Sequence, residues 1–165
     1  MATEQNTLFK NLNKLKERVK REMLSNQNIL KLVAYNTDDP LSEADIDDAQ
    51  ALVNDHIYFN PVVYDDTIQD TRTFILTNMR VSSIRGSQQF ANITLYIYVI
   101  SHNDLYELVD GSVRVWNIAD ELVQSFHKKF ENDIGCAHFK QMFEITSRKD
   151  YYAVELQFEF TEFKQ

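Results

Sequence analysis

Tyr151-Tyr-Ala-Val-Glu-Leu-Gln-Phe-Glu-Phe-Thr-Glu-Phe163 alternates almost without a fault. Tyr152, Val154, Leu156, Phe158 and Phe160 fall on one side, and Ala153, Glu155, Gln157, Glu159 and Thr161 on the other. Successive side chains of a strand point to opposite faces, so a period of two is a strand signature. An apolar side against a charged one describes a sheet with one face on a core and one in water, the usual condition of an antiparallel sheet.

Working back from this stretch, Arg148-Lys149-Asp150 reads as a turn and Phe139 to Ser147 as the partner strand, which gives a C-terminal hairpin. A second hairpin lies upstream, with Arg72 to Ile84 and Phe90 to Ile100 joined at Arg85-Gly86-Ser87. Ile93, Leu95, Ile97 and Val99 face one way and Tyr96, Tyr98 and Ile100 the other, so this strand is expected to be central and covered on both sides. Between the hairpins, Ser112 to Phe130 carries Val115, Ala119, Leu122, Val123, Phe126 and Phe130 at helical spacing. Its acids lie nearer the start and Lys128 and Lys129 at the end, as the helix dipole favours, and Gly135 follows as a terminator.

Toward the N-terminus the period is helical throughout. Leu8, Leu12, Leu15, Val19 and Met23 form one stripe, with Lys10, Lys14, Glu17, Arg18 and Arg21 around the rest of the cylinder. Ser25 is expected to cap a second helix bearing Ile29, Leu30, Leu32 and Val33, which Asp39-Pro40 breaks. Ser42 with Asp45 resembles a capping box for a short acidic helix ending near Val53. A loop-like acidic stretch, Tyr64 to Thr71, leads into the first hairpin. The expectation is one α+β domain over residues 1–165, with a helical region at 1–56 and a hairpin–helix–hairpin body at 57–165. Its sheet should be antiparallel and four-stranded, built from the two hairpins, with the long helix on one face and the N-terminal helices beside it.

At 165 residues such a domain buries enough surface to fold without staples, and the single Cys136 offers no disulfide framework. No apolar signal-type core follows Met1, and the longest strongly apolar run, Ile93 to Ile100, is far short of a membrane span. The expectation is a protein made and kept in a cytoplasm, or one that leaves it by a route other than secretion, and not bound to a membrane.

Chemistry-bearing patterns are sparse. Gly86, Gly111 and Gly135 form no phosphate-cradling loop. His127, Cys136 and His138 lie close in sequence but match no zinc spacing, and Cys136 has no orienting partner that would make it a nucleophile. Asp45-Ile46-Asp47-Asp48 lacks the glycine and terminal Glu of a calcium loop and suits a helix start. Asn92-Ile93-Thr94 is a sequon in form only, since it falls within a central strand. No catalytic residue, metal or cofactor is expected, and the function is read as binding other proteins.

Charge is the more informative feature. The net charge is −8, yet residues 1–31 carry seven Lys/Arg against three acids, and residues 32–71 carry ten acids and no Lys or Arg. Intrachain pairing, a solvated face, or complementary surfaces on neighbouring copies would each use that split. Six positive residues from Lys10 to Arg21 could also track phosphates, but no aromatic platform interleaves them and the chain is acidic overall. Candidate interface residues are therefore Lys10, Lys14, Arg18 and Arg21, the acids Asp38, Asp39, Asp47 and Asp48, and the apolar Tyr58, Phe59, Val62 and Tyr64.

Asn28-Ile-Leu-Lys-Leu-Val-Ala-Tyr-Asn-Thr-Asp-Asp-Pro-Leu-Ser42, followed by an acidic stretch and a hairpin–helix–hairpin body, resembles the tail terminator and neck (head-to-tail joining) proteins of tailed bacteriophages. That resemblance implies a non-enzymatic virion protein, assembled in the host cytoplasm as a homo-oligomeric ring, a hexamer in the family. The ring would end tail polymerisation and join tail to head. Its implied partners are the tail tube or sheath and the neck or connector proteins, with DNA at most passing through and no membrane. The alternatives are another neck or connector component, or a small intracellular adaptor for protein or nucleic acid.

Overall fold

The computed structural model describes residues 8–60, 70–83, 90–127, 136–146 and 150–163. The N-terminal stripe folds as α1 (Leu8–Ser25), and Leu15, Val19 and Met23 are fully buried. Asn26 ends it and caps α2 (Gln27–Ala34), its side chain accepting from the backbone N–H of Asn28 and Ile29. The cap is thus Asn26 and not Ser25, whose hydroxyl instead donates back to Glu22 O at 3.0 Å. α2 buries Ile29, Leu30, Leu32 and Val33.

The expected acidic helix from Ser42 to Val53 is replaced by two single 3₁₀ turns, Pro40–Ser42 and Ala49–Leu52. Two side chains divert the backbone. Gln27 accepts from Ile46 N at 2.9 Å and donates to Ile46 O at 3.1 Å, and Asp48 Oδ1 accepts from Gln50 N at 3.0 Å. Bonds of this kind compete with helical ones.

The sheet corrects the four-stranded antiparallel expectation. It has five strands and is mixed, in the order β1-β2-β3-β5-β4. These are β1 (Ile57–Tyr58), β2 (Thr73–Ser83), β3 (Phe90–His102), β4 (His138–Thr146) and β5 (Tyr151–Phe163). The strand that overturns the expectation is β1, which runs parallel to β2 with Ile57 opposite Ile75 and Tyr58 opposite Leu76. It is reached through a tight turn in which Asn54 adopts φ 66°, a left-handed conformation that Asn tolerates, and its N–H bonds Ile57 O at 3.0 Å. Two residues are too few to carry a period, so nothing in the local pattern announces them.

The remaining pairings are antiparallel and join the two hairpins through β3 and β5, with Ile97 opposite Leu156 and Leu95 opposite Phe158. The helices cover one face. There Ile93, Leu95, Ile97, Val99, Val154, Leu156, Phe158 and Phe160 are fully buried. The long helix is α3 (Arg114–Phe126), and Phe126 meets Phe158 edge-on at 5.7 Å between ring centroids. On the other face a smaller cluster gathers Tyr58, Phe74, Leu76 and Tyr151, with Tyr98 and Ile100 half-buried against it. Tyr151 also donates to Asp70 O at 2.7 Å. Coverage of β3 on its second face is accordingly partial.

Candidate functional site

Four features stand out on this frame. The first is a charged groove between α1 and the acidic segment. Glu17, Lys20, Arg21 and Leu24 form one wall and Asp47, Asp48, Ala49 and Gln50 the other, around an open volume of about 670 Å³. The fold thus turns the basic helix toward the acids of its own chain. Lys31–Asp45 at 2.8 Å is a direct ion pair between the basic and acidic segments, and Arg72 holds Asp55 at 2.9 Å and Asp70 at 2.6 Å. Pairs whose carboxylates stay exposed to water, as these do, contribute only ~0–1 kcal/mol each. Their effect is on orientation and on the field of the surface.

The second feature was not legible in the sequence. Arg114, the first residue of α3, is 1% exposed. Its guanidinium donates to Leu105 O at 2.9 Å, Leu32 O at 2.8 Å, Tyr35 O at 2.9 Å and Thr37 O. Burial pulls its pKa below the ordinary guanidinium value, opposed by the charge of Asp38. A cation at the carbonyl end of α2 also suits the helix dipole. This side chain ties together the end of α2, the 3₁₀ turn Asn103–Leu105 and the start of α3. Beside it, Gly111 takes φ 79° in the turn from Leu108 to Ser112, a conformation that other residues adopt at a cost.

The third feature is the margin of the sheet at β4. Among the described residues β4 pairs with β5 alone, so its outer backbone groups face outward. Met142 is 41% exposed on the helix side and Phe143 48% exposed on the far side. Trp116, 45% exposed on α3, hydrogen bonds Tyr152, which stacks edge-on with Tyr106 at 5.1 Å. Burial, then a hydrogen bond to Glu144, raises the Tyr152 phenol above its ordinary pKa, and the bond from Trp116 acts the other way.

The fourth feature is the opposite margin. There, among the described residues, β1 pairs with Ile75 and Leu76 of β2, Thr77 next to them is buried, and Val81 is exposed further along the strand.

The sequence-derived candidates are distributed over these features. Lys10, Lys14, Arg18 and Arg21 lie on α1, and Arg21 reaches the groove with Asp47 and Asp48. Asp38 and Asp39 are exposed beyond α2, where Asp38 O accepts from Val109 N at 2.8 Å and Asp39 O accepts from Ser42. Tyr58 is buried within its own chain and Phe59 is half-buried against the main core. Val62 and Tyr64 fall outside the described residues. His127 Nδ1 accepts from Phe139 N, its ring stands 6.5 Å from that of His138, and the Cys136 thiol turns to Ala137 O. Among the described residues no three His, Cys, Asp or Glu side chains converge as metal ligands.

Sequence reasoning passed over Trp116, Met142, Phe143 and Val81, although a signal was there. Trp116 lies off the apolar stripe of α3. Met142 and Phe143 are adjacent in a strand, so they point to opposite faces and one core cannot take both.

No described helix is long and apolar enough to cross a membrane. The YomW family model matches residues 26–160. The chain belongs to that family, which is of phage or prophage type, so this is a phage-associated protein. Comparison with the curated proteins gives no match.

Proposed function

We propose that this member of the YomW family is a non-enzymatic building block of a phage particle, a tail terminator that assembles as a ring at the head-proximal end of the tail. The observation that carries the reading is the placement of exposed apolar side chains. Trp116, Met142 and Phe143 lie at one margin of the sheet and Val81 at the other. A ring needs two different surfaces on each subunit that fit one another after a rotation. Leu41 and Val109, 44% and 67% exposed near Asp38 and Asp39, give a third surface for a neighbour along the particle axis. The two-signed groove at α1 supplies orientation more than affinity, as exposed charge generally does.

Removal of the gene from a phage or prophage that encodes it tests the reading directly. The expected result is headless tails of uncontrolled length, with the protein found by mass spectrometry in wild-type particles at a few copies each. Tails of normal length without heads would point to another neck component. Particles that lack the protein would overturn the virion assignment.

A further inference from the structure

We infer that copies of this chain join edge to edge, with β4 of one subunit pairing antiparallel to the outer half of β2 of the next, so that the sheet runs on between subunits. This rests on the ring reading above and specifies its joint. Three observations lead to it.

The first is direction. Along β2-β3-β5-β4 every neighbour is antiparallel, so β4 runs opposite to β2. A second copy set beside the first without inversion therefore meets β4 with an antiparallel β2, and its helices stay on the same side. Nothing has to flip, and the same rotation repeated at each joint closes a ring.

The second is length. Among the described residues, β1 occupies the edge of β2 at Ile75 and Leu76, Thr77 beyond it is still buried, and the accessible part of the strand is Asn78–Ser82. β4 ends at Thr146. Placing Ile145 opposite Asn78 of the neighbour lets the end of β4 meet the point where the accessible part of β2 begins. The pairing then runs through Phe143 opposite Arg80 and Met142 opposite Val81 to Gln141 opposite Ser82. Beyond that point the shift between Phe139 and Gln141 bends β4 out of register.

The third is face. Paired residues share a side of a sheet, so Val81 lies with Ile93 on the helix side, and Met142 lies with Leu156 on the same side. The register drawn from length thus brings Val81, with Met79 next to it on that side, against Met142 and toward Trp116. On the far side it sets the exposed Arg80 over the exposed Phe143, a cation on an aromatic ring. A slip of one residue would put Val81 on the wrong face of the neighbour. Exposed edge strands with apolar side chains are the usual template for such pairing.

Cysteine cross-linking reads this register. Within one chain β2 and β4 are separated by two strands, ~14 Å at sheet spacing, too far for a disulfide. In a Cys136→Ser background, Met142→Cys combined with Val81→Cys should give a ladder of covalent oligomers ending at the ring size when an oxidant is added. Met142→Cys combined with Asn78→Cys, on the other face, should give none. Separately, Met142→Lys should weaken association about tenfold or more, and adding Val81→Glu should restore it, with the monomer fold unchanged by circular dichroism. Rings seen by native mass spectrometry without the ladder would overturn the joint and leave the ring reading standing. Dimers from Met142→Cys alone would overturn it in favour of a two-fold β4 contact. A strictly monomeric protein, absent from particles, would remove the ring reading itself.

Discussion

Replacement of Arg114 is the most discriminating test of the fold. Of its four carbonyl partners, Leu105 O and Leu32 O are buried, while Tyr35 O and Thr37 O lie partly exposed and can turn to water once the guanidinium is gone. An unsatisfied buried carbonyl costs ~1–3 kcal/mol, so the two buried ones give ~2–6 kcal/mol. The desolvation that Arg114 itself no longer suffers offsets part of this, and the lost packing of its stem adds to it. We expect Arg114→Ala to lose ~4 kcal/mol. Arg114→Met keeps the stem volume but not the donors, and should lose ~3 kcal/mol. Arg114→Lys keeps the charge, but a compact ammonium cannot span carbonyls from three segments, and ~2 kcal/mol should go. Urea unfolding followed by circular dichroism reads these losses. With a slope of ~2 kcal/mol/M, Arg114→Ala should lower the midpoint by ~2 M. If Arg114→Met unfolds within ~1 kcal/mol of the unmodified chain, the carbonyls do not depend on the guanidinium. The view of Arg114 as the tie between α2 and α3 would then fail.

Phe126→Ala, which opens a cavity beside Phe158 and Leu122, should cost ~3–5 kcal/mol in the same assay; a loss under ~1 would mean that α3 does not close the core. Asn26→Ala removes the α2 cap together with bonds from its amide to Glu121 and Ser125, both at 3.0 Å, and should cost ~1–2 kcal/mol, with Asn26→Asp restoring the cap but not those bonds. Burial holds the phenols of Tyr98, Tyr151 and Tyr152 above their ordinary pKa. The folded chain therefore keeps protons that the unfolded chain releases from pH ~10 upward, so stability is full below that value and falls as pH rises through the folded pKa values. Phenolate absorbance should show a late-titrating fraction that vanishes in urea, and simultaneous titration of all tyrosines at the ordinary value would refute it.

Much of this protein can be read locally. The stripe Leu15, Val19, Met23 and the alternation through Phe90–His102 and Tyr151–Phe163 each fix which side is buried, because the 3.6 and 2 periods are properties of the backbone itself. For these stretches element type and core face follow, and so do both hairpins, whose partners are neighbours in the chain, whereas the acidic stretch after Ser42 reads as a helix and folds as two 3₁₀ turns. The absence of any Lys or Arg across residues 32–71 is likewise plain in the sequence.

What tertiary structure alone decided involves segments far apart in the chain. The two residues of β1 are a strand only because β2 offers an edge on which Ile57 and Tyr58 can be buried, so the mixed sheet had no local signal. The turn of α1 toward Asp47 and Asp48 depends on Gln27 holding Ile46, nineteen residues on, and without that bond the charge split had several equal readings. Arg114 reads as an ordinary charged residue at a helix start. Its burial becomes favourable only when carbonyls from Leu32, Tyr35, Thr37 and Leu105 converge on one guanidinium, because a buried cation is tolerated where its donors are met and nowhere else.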